Sequence, residues 1–268
     1  MLIASLALAP ILAFGLFIYL KDKYNREPLI WMIVAFIVGA ASILPAVAIE
    51  YFLERKIGLG IGNNITSLFI NAFIVVALTE EVCKFVLLRI LFYRKRFFSE
   101  PISGIVYAVM LSLGFAFTES IFYILGSQNV FVTAVVRSFT AVPAHFIFAV
   151  FMGYYMGRAK FTYMHKRTML VVLGLILAVL GHGFYDFFLL AWWMPAEYQY
   201  ISFGFVFTGL IFAIVLINKA QRRSPFIKRK KWLKSIELSK EKEFQDFLDG
   251  QKQLLKRRRE KQKKNKKS

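Results

Sequence analysis

The stretch Ile74–Leu88, IVVALTEEVCKFVLL, decides how this chain is read. Glu80, Glu81 and Lys84 interrupt a run that is otherwise oily. A charge at the centre of a membrane-spanning helix costs about 2.5–3.5 kcal/mol on insertion scales, so three in one run need a reason. First the run must be shown to lie in a membrane. Of the 268 residues, 58% are hydrophobic and 17% aromatic, too oily for a chain of ordinary soluble domains. The charge is uneven as well: about twenty of the 35 Lys and Arg lie from Lys219 onward. The composition reads as an all-α, polytopic membrane helix bundle, residues 1–218, followed by a basic tail, residues 219–268. The single cysteine, Cys83, excludes an internal disulfide.

The first apolar stretch, residues 1–20, lacks the positive leading segment of a cleavable signal and reads as a retained span. Further stretches long enough to cross a bilayer lie at about 29–53, 66–92, 101–126, 130–157, 168–192 and 199–218, making seven. The connections KDKYNREP, YRKRFF and RAKFTYMHKR are basic, whereas GSQN and MPAEY carry no Lys or Arg. By the positive-inside rule this alternation predicts an outer amino terminus and a cytoplasmic tail. Trp31, Trp192 and Trp193 fall at expected span ends, as interfacial tryptophans do. The GYYMG pattern at Gly153–Gly157 permits close helix approach.

Four consecutive spans share nearly all the buried ionisable residues. The third has Glu80, Glu81 and Lys84, the fourth Glu119, the fifth Arg137 and His145, the sixth His182 and Asp186. With a rise of about 1.5 Å per residue, Glu80, His145 and His182 reach similar depths, and Glu119 and Asp186 lie about 6–9 Å nearer the outer face. Four-residue spacing puts Glu80 with Lys84, and His182 with Asp186, along single helix faces. One such residue is readily explained as an interhelical hydrogen bond; six within a layer about 10 Å deep point to a site. Imidazoles and carboxylates in one cavity suit a divalent cation such as zinc, with a further carboxylate as general base on water. Carboxylate–imidazole catalysis without metal would use the same groups. So would a proton- or cation-coupled transporter, although no internal repeat is evident. Pro143 is expected to distort the fifth helix beside His145.

TEEVCK matches EExxK, FAFTE (Phe115–Glu119) matches FxxxE, and HGFYD (His182–Asp186) matches HxxxD. With His145 between them and the DKYNREP loop, the chain resembles the PrsW family of intramembrane proteases, relatives of the CAAX prenyl endopeptidases. The resemblance implies a bacterial plasma-membrane endopeptidase that cuts a single-pass membrane protein, typically an anti-sigma factor in stress signalling. Carried onto these residues, it makes Glu80, Glu81, His145 and His182 catalytic, with Lys84, Glu119 and Asp186 completing the polar site. His145, His182 and Glu119 form the expected metal set. Lys84 is expected to hold one glutamate while the other serves as base. The CAAX enzymes have His and Asn at the positions of Glu119 and Asp186, so this site is more acidic than theirs.

In the tail, Phe244, Phe247, Leu248, Gln251, Leu254 and Leu255 recur at helical spacing. An amphipathic helix at about 237–259 is expected, able to lie on anionic lipid headgroups. Nucleic acid is not expected as a partner, because no recognition fold accompanies the basic end.

Overall fold

The structure, a computed structural model, describes residues 2–190 and 195–265. Among these there is no strand, and the chain runs through eight helices: α1 (Leu2–Lys21), α2 (Leu29–Ile57), α3 (residues 65–92), α4 (Pro101–Gly126), α5 (Val130–Lys160), α6 (Met164–Leu189), α7 (Gln199–Gln221) and α8 (Phe226–Asn265). The protein is an all-α membrane helix bundle. Five helices, α2 and α4 to α7, are long and apolar enough to cross a bilayer. Helix α1 carries the first apolar stretch and ends at Lys21, and α3 carries the charged run. Helix α6 starts at Met164, four residues before its apolar run, because the polar sequence MHKR forms its first turn after an extended Tyr163. Trp192 and Trp193 lie outside the described residues.

The chain divides into two compact units, Met1–Ser224 and Pro225–Ser268. The second is the single helix α8. It extends beyond both ends of the amphipathic segment expected at 237–259.

Within the first unit α4 and α5 are the interior, buried along most of their length, while α1, α2 and α7 turn rows of Leu, Ile and Phe outward. An apolar exterior is what hydrocarbon solvates, so it carries no penalty in a bilayer. Close crossings hold the centre together. A Cβ on Gly153 or Gly157 would collide with the backbone of Gly104 or Pro101, so α4 and α5 touch backbone to backbone at the GYYMG pattern. Gly39 and Gly114 do the same for α2 against α4.

Two irregularities position the site. Helix α3 is π-wound over Ile70–Leu78 and Leu88–Phe92, with regular α-helix at Ile65–Phe69 and at Thr79–Leu87, the latter being the turns that carry Glu80, Glu81 and Lys84. Such insertions re-aim the side chains that follow and are common at functional sites. Helix α5 breaks at Thr140, whose hydroxyl donates to the Val136 carbonyl at 2.8 Å. Pro143 cannot supply the amide that the Phe139 carbonyl would otherwise accept, so the distortion falls just ahead of His145.

Candidate active site

The helices bring the predicted residues into one buried cluster. Glu80, Glu81, Lys84, His145, His182 and Asp186 are each at most 9% exposed. On α3, i−4 and i−3 spacing lets Lys84 Nζ reach Glu80 Oε2 at 3.0 Å and Glu81 Oε1 at 2.9 Å. Lys84 therefore pairs with both glutamates, where one partner was expected. Its ammonium also lies 3.9 Å from the ring centroid of Phe115, which gives the first position of the FxxxE motif a physical role.

His145 on α5 spans the cluster. Its Nδ1 stands 3.3 Å from Lys84 Nζ and its Nε2 stands 2.8 Å from Glu119 Oε2. An ammonium only donates, so Nδ1 accepts and the ring proton belongs on Nε2, donated to Glu119. His182 on α6 has carboxylates at both nitrogens: Glu81 Oε1 at 3.1 Å from Nδ1, and Asp186 Oδ2 at 3.2 Å from Nε2. The rings of the two histidines are 5.3 Å apart, and Phe148 stacks on His182 at 4.9 Å.

Each histidine is thus held at Nε2 by a carboxylate, Glu119 or Asp186, leaving its Nδ1 to face α3. This is how carboxylates orient imidazoles in metal centres and hydrolases. Glu80, His145 and His182 offer one donor atom each within 4.8 Å of one another. Glu119, expected in the metal set, lies at the back of His145 and pairs with Arg137 Nη2 at 2.7 Å. Geometry therefore puts Glu80 where the sequence pointed to Glu119.

A cavity of about 80 Å³ adjoins the cluster, lined by Glu119, Arg137, His145, His182, Tyr185 and Asp186 among others. It has room for water beside both imidazoles. A larger groove of about 590 Å³ between α1, α2 and α4 has no carboxylate, imidazole or amine in its lining.

Sequence reasoning missed Glu50. It sits near the end of α2, a span read as having no ionisable residue in its middle, and it interacts electrostatically with Glu80, Glu119, His182 and Lys84. Its Oε1 is buried without a hydrogen-bond partner. The available signal was a lone carboxylate inside an apolar run. A second buried acidic group, Asp22, Glu27 and Glu100, was also missed, because its loops were scored for their basic residues. There the signal was Glu100-Pro101-x-Ser103, a capping box with Pro at the first helical position.

Fold and cluster together define a class: a polytopic helical membrane protein whose ionisable chemistry lies inside the bundle. Comparison with known proteins makes this specific. A family model described as PrsW family intramembrane metalloprotease matches residues 27–217. Protease PrsW of Oceanobacillus iheyensis is 39% identical over 188 residues, covering 70% of this chain and 82% of that protein. Protease PrsW of Geobacillus kaustophilus is 37% identical over 187 residues, 70% of this chain and 79% of the relative. That of Bacillus subtilis is 35% identical over 191 residues, 70% and 83% respectively. No solved structure matches the chain. The chain belongs to the PrsW family of intramembrane metalloproteases. It is a multi-pass bacterial membrane protein and a protease acting on membrane-anchored substrates, which decides for hydrolysis over transport.

Proposed function

We propose that this protease hydrolyses a peptide bond in a single-pass membrane protein, such as an anti-sigma factor, using water activated by the α3 glutamates. The supporting observation is the convergence of Glu80, His145 and His182 from three helices, with a carboxylate behind each imidazole. His145 and His182 border the cavity and hold water there. Glu81 Oε1 already faces both Lys84 and His182, whereas Glu80, among the described residues, has only Lys84 within hydrogen-bond distance; Glu80 is the freer carboxylate to take the water's proton.

The donor set suits a divalent cation such as zinc in kind: two imidazole nitrogens and a carboxylate, with oriented rings. Glu80, His145 and His182 would hold it, and Glu81 would then be the remaining base. A bound metal would supply Lewis-acid polarisation of water and of the scissile carbonyl. By the loop charges, the amino terminus is outside and the tail cytoplasmic. Residues 1–218 form the protease domain and 219–268 a tail whose basic residues meet anionic headgroups.

The test replaces Glu80 and Glu81 by Gln and His145 and His182 by Ala, singly, with a co-expressed membrane-anchored reporter and matched protein levels. Loss of cleavage in these variants is expected. Full cleavage by all four would overturn the reading.

A further inference from the structure

The donor atoms of the Glu80–His145–His182 group are not turned toward empty space. Lys84 Nζ lies 3.0 Å from Glu80 Oε2 and 3.3 Å from His145 Nδ1, two of the three donors, and 2.9 Å from Glu81 Oε1. The third donor, His182 Nδ1, is 3.9 Å from the same Glu80 oxygen. The opposite nitrogens cannot serve instead, since Glu119 and Asp186 engage both Nε2 atoms. We propose that the Lys84 ammonium occupies the cation position of the Glu80–His145–His182 set, so that this lysine and a divalent metal are alternative occupants of one centre. The proposal rests on the reading of that set as the active centre.

Three observations carry it. The contacts of Lys84 are at hydrogen-bond length, about 1 Å longer than zinc–nitrogen or zinc–carboxylate bonds, so the set is sized for an ammonium and must close in around an ion. A second cation inside this shell would meet Lys84 at short range in a site shielded from water, where like charges repel strongly. Finally, the lysine has somewhere to go. A void of about 10 Å³ lies beside it, lined by Glu81, Leu88, Ala108, Leu111, Ser112 and Met152 among others. That is about one water, or one ammonium. In it Ser112 Oγ, which donates to the His145 carbonyl at 3.0 Å, still has acceptor capacity for the displaced ammonium. The flexible four-carbon stem allows the swing.

Lys84 then has two duties. In the metal-free protein it holds the donors together, supported by the face of Phe115. On loading it must leave the centre. A lysine that is only a structural partner of Glu80 and Glu81 predicts the opposite: its removal would loosen the donors and weaken metal binding.

The test is Co(II) affinity, read from its visible absorption in the purified full-length protein in nanodiscs. Lys84→Met should bind at least tenfold more tightly than wild type, with the gain abolished by adding His145→Ala or His182→Ala. Lys84→Arg, whose bulkier cation does not fit the void, should show no gain. Equal or weaker binding by Lys84→Met overturns the proposal. Should Lys84→Met fail to fold, the wild-type protein decides. With lysine ε-carbons labelled, the Lys84 resonance should shift as zinc saturates the site, and an unmoved resonance at saturation overturns the proposal. If wild type binds metal in this way yet cleaves no reporter, the protease assignment of the centre fails and the exclusion stands. If it cleaves and Lys84→Met gains nothing, only the exclusion fails.

Discussion

Arg137 Nη2 stands 2.7 Å from Glu119 Oε2, and that same oxygen lies 2.8 Å from His145 Nε2. One guanidinium thus fixes the carboxylate that fixes the imidazole, across the break in α5 that separates Arg137 from His145. Its Nε also donates to Ser120 Oγ at 3.1 Å, locking the fork on α4. Removing one partner of a buried pair leaves an uncompensated charge, at a cost of about 3–5 kcal/mol. Arg137→Leu should therefore lower thermal stability in detergent by that order and reduce reporter cleavage. Arg137→Leu with Glu119→Leu should recover much of the stability and none of the activity, because His145 loses its support in either case. A double-mutant cycle on unfolding and cleavage separates the two.

Asp186 makes the corresponding contact to His182, at 3.2 Å from Nε2. Replacing it by Asn keeps the shape but removes the negative charge behind the ring. Outer-shell substitutions of this kind typically cost 10–100-fold in metal affinity or activity. Asp186→Asn should lower reporter cleavage by that factor at unchanged protein level. Unchanged cleavage would show that His182 needs no charged partner.

Both contacts were within reach of the sequence, for a physical reason. In a bilayer every ionisable residue is conspicuous, and helical rise converts its position into depth, so Glu80, His145 and His182 could be brought to similar depth from spacing alone, with Asp186 one turn beyond His182 on the same face. Spacing also put Lys84 beside Glu80, but i−3 and i−4 are both within reach of a lysine, and only the coordinates show it meeting both. That Glu80 joins the two imidazoles in a group able to hold an ion, while Glu119 backs His145, was not legible, because depth says nothing about helix rotation, and the π-turns of α3 change that rotation without a sequence mark. Glu50 was passed over because it lies close to the expected end of its span at residue 53, whereas α2 continues to Ile57.

Outside the spans, the loop between α1 and α2 predicts a pH effect. The Glu27 amide donates to Asp22 Oδ2 at 2.6 Å, the Tyr107 hydroxyl donates to Glu27, and the Asn25 amide donates to Glu100 Oε1 at 3.2 Å. Burial pushes the Asp22 carboxyl from 3.8 up to about 7, with Glu100 and Glu27 adding to the rise, and burial likewise lifts Glu27 from 4.5 to about 7. A carboxyl raised on folding binds its proton more tightly in the native state. Its contribution is therefore full below the unfolded value near 4 and is lost as pH rises through about 7. The rises correspond to roughly 4 kcal/mol for Asp22 and roughly 3 kcal/mol for Glu27, not additively, since the two are neighbours. Thermal stability should fall between pH 5 and 8, and Glu27→Gln, which stays neutral, should flatten that slope. A pH-independent melting temperature in wild type would contradict it.

The crossing of α2 and α4 offers a stability test at residues outside the polar cluster. A Cβ at Gly39 would run into the backbone carbonyl of Leu111, and Gly114 meets the Phe36 carbonyl on the reverse side. At Gly15 on α1, by contrast, a Cβ would meet only Met110 Sδ, at 3.8 Å. Alanine favours the helical backbone over glycine by up to about 1 kcal/mol, so Gly15→Ala should be neutral or stabilising. Gly39→Ala gains the same propensity but must push α2 off α4, an overpacking cost of about 1–3 kcal/mol or more. The shift also reaches the catalytic level, since Phe115 beneath Lys84 follows directly on Gly114. Gly39→Ala should therefore lower both the melting temperature in detergent and the rate of reporter cleavage, with Gly15→Ala as its matched control. Equal behaviour of the two variants would mean that α2 and α4 do not meet at these glycines.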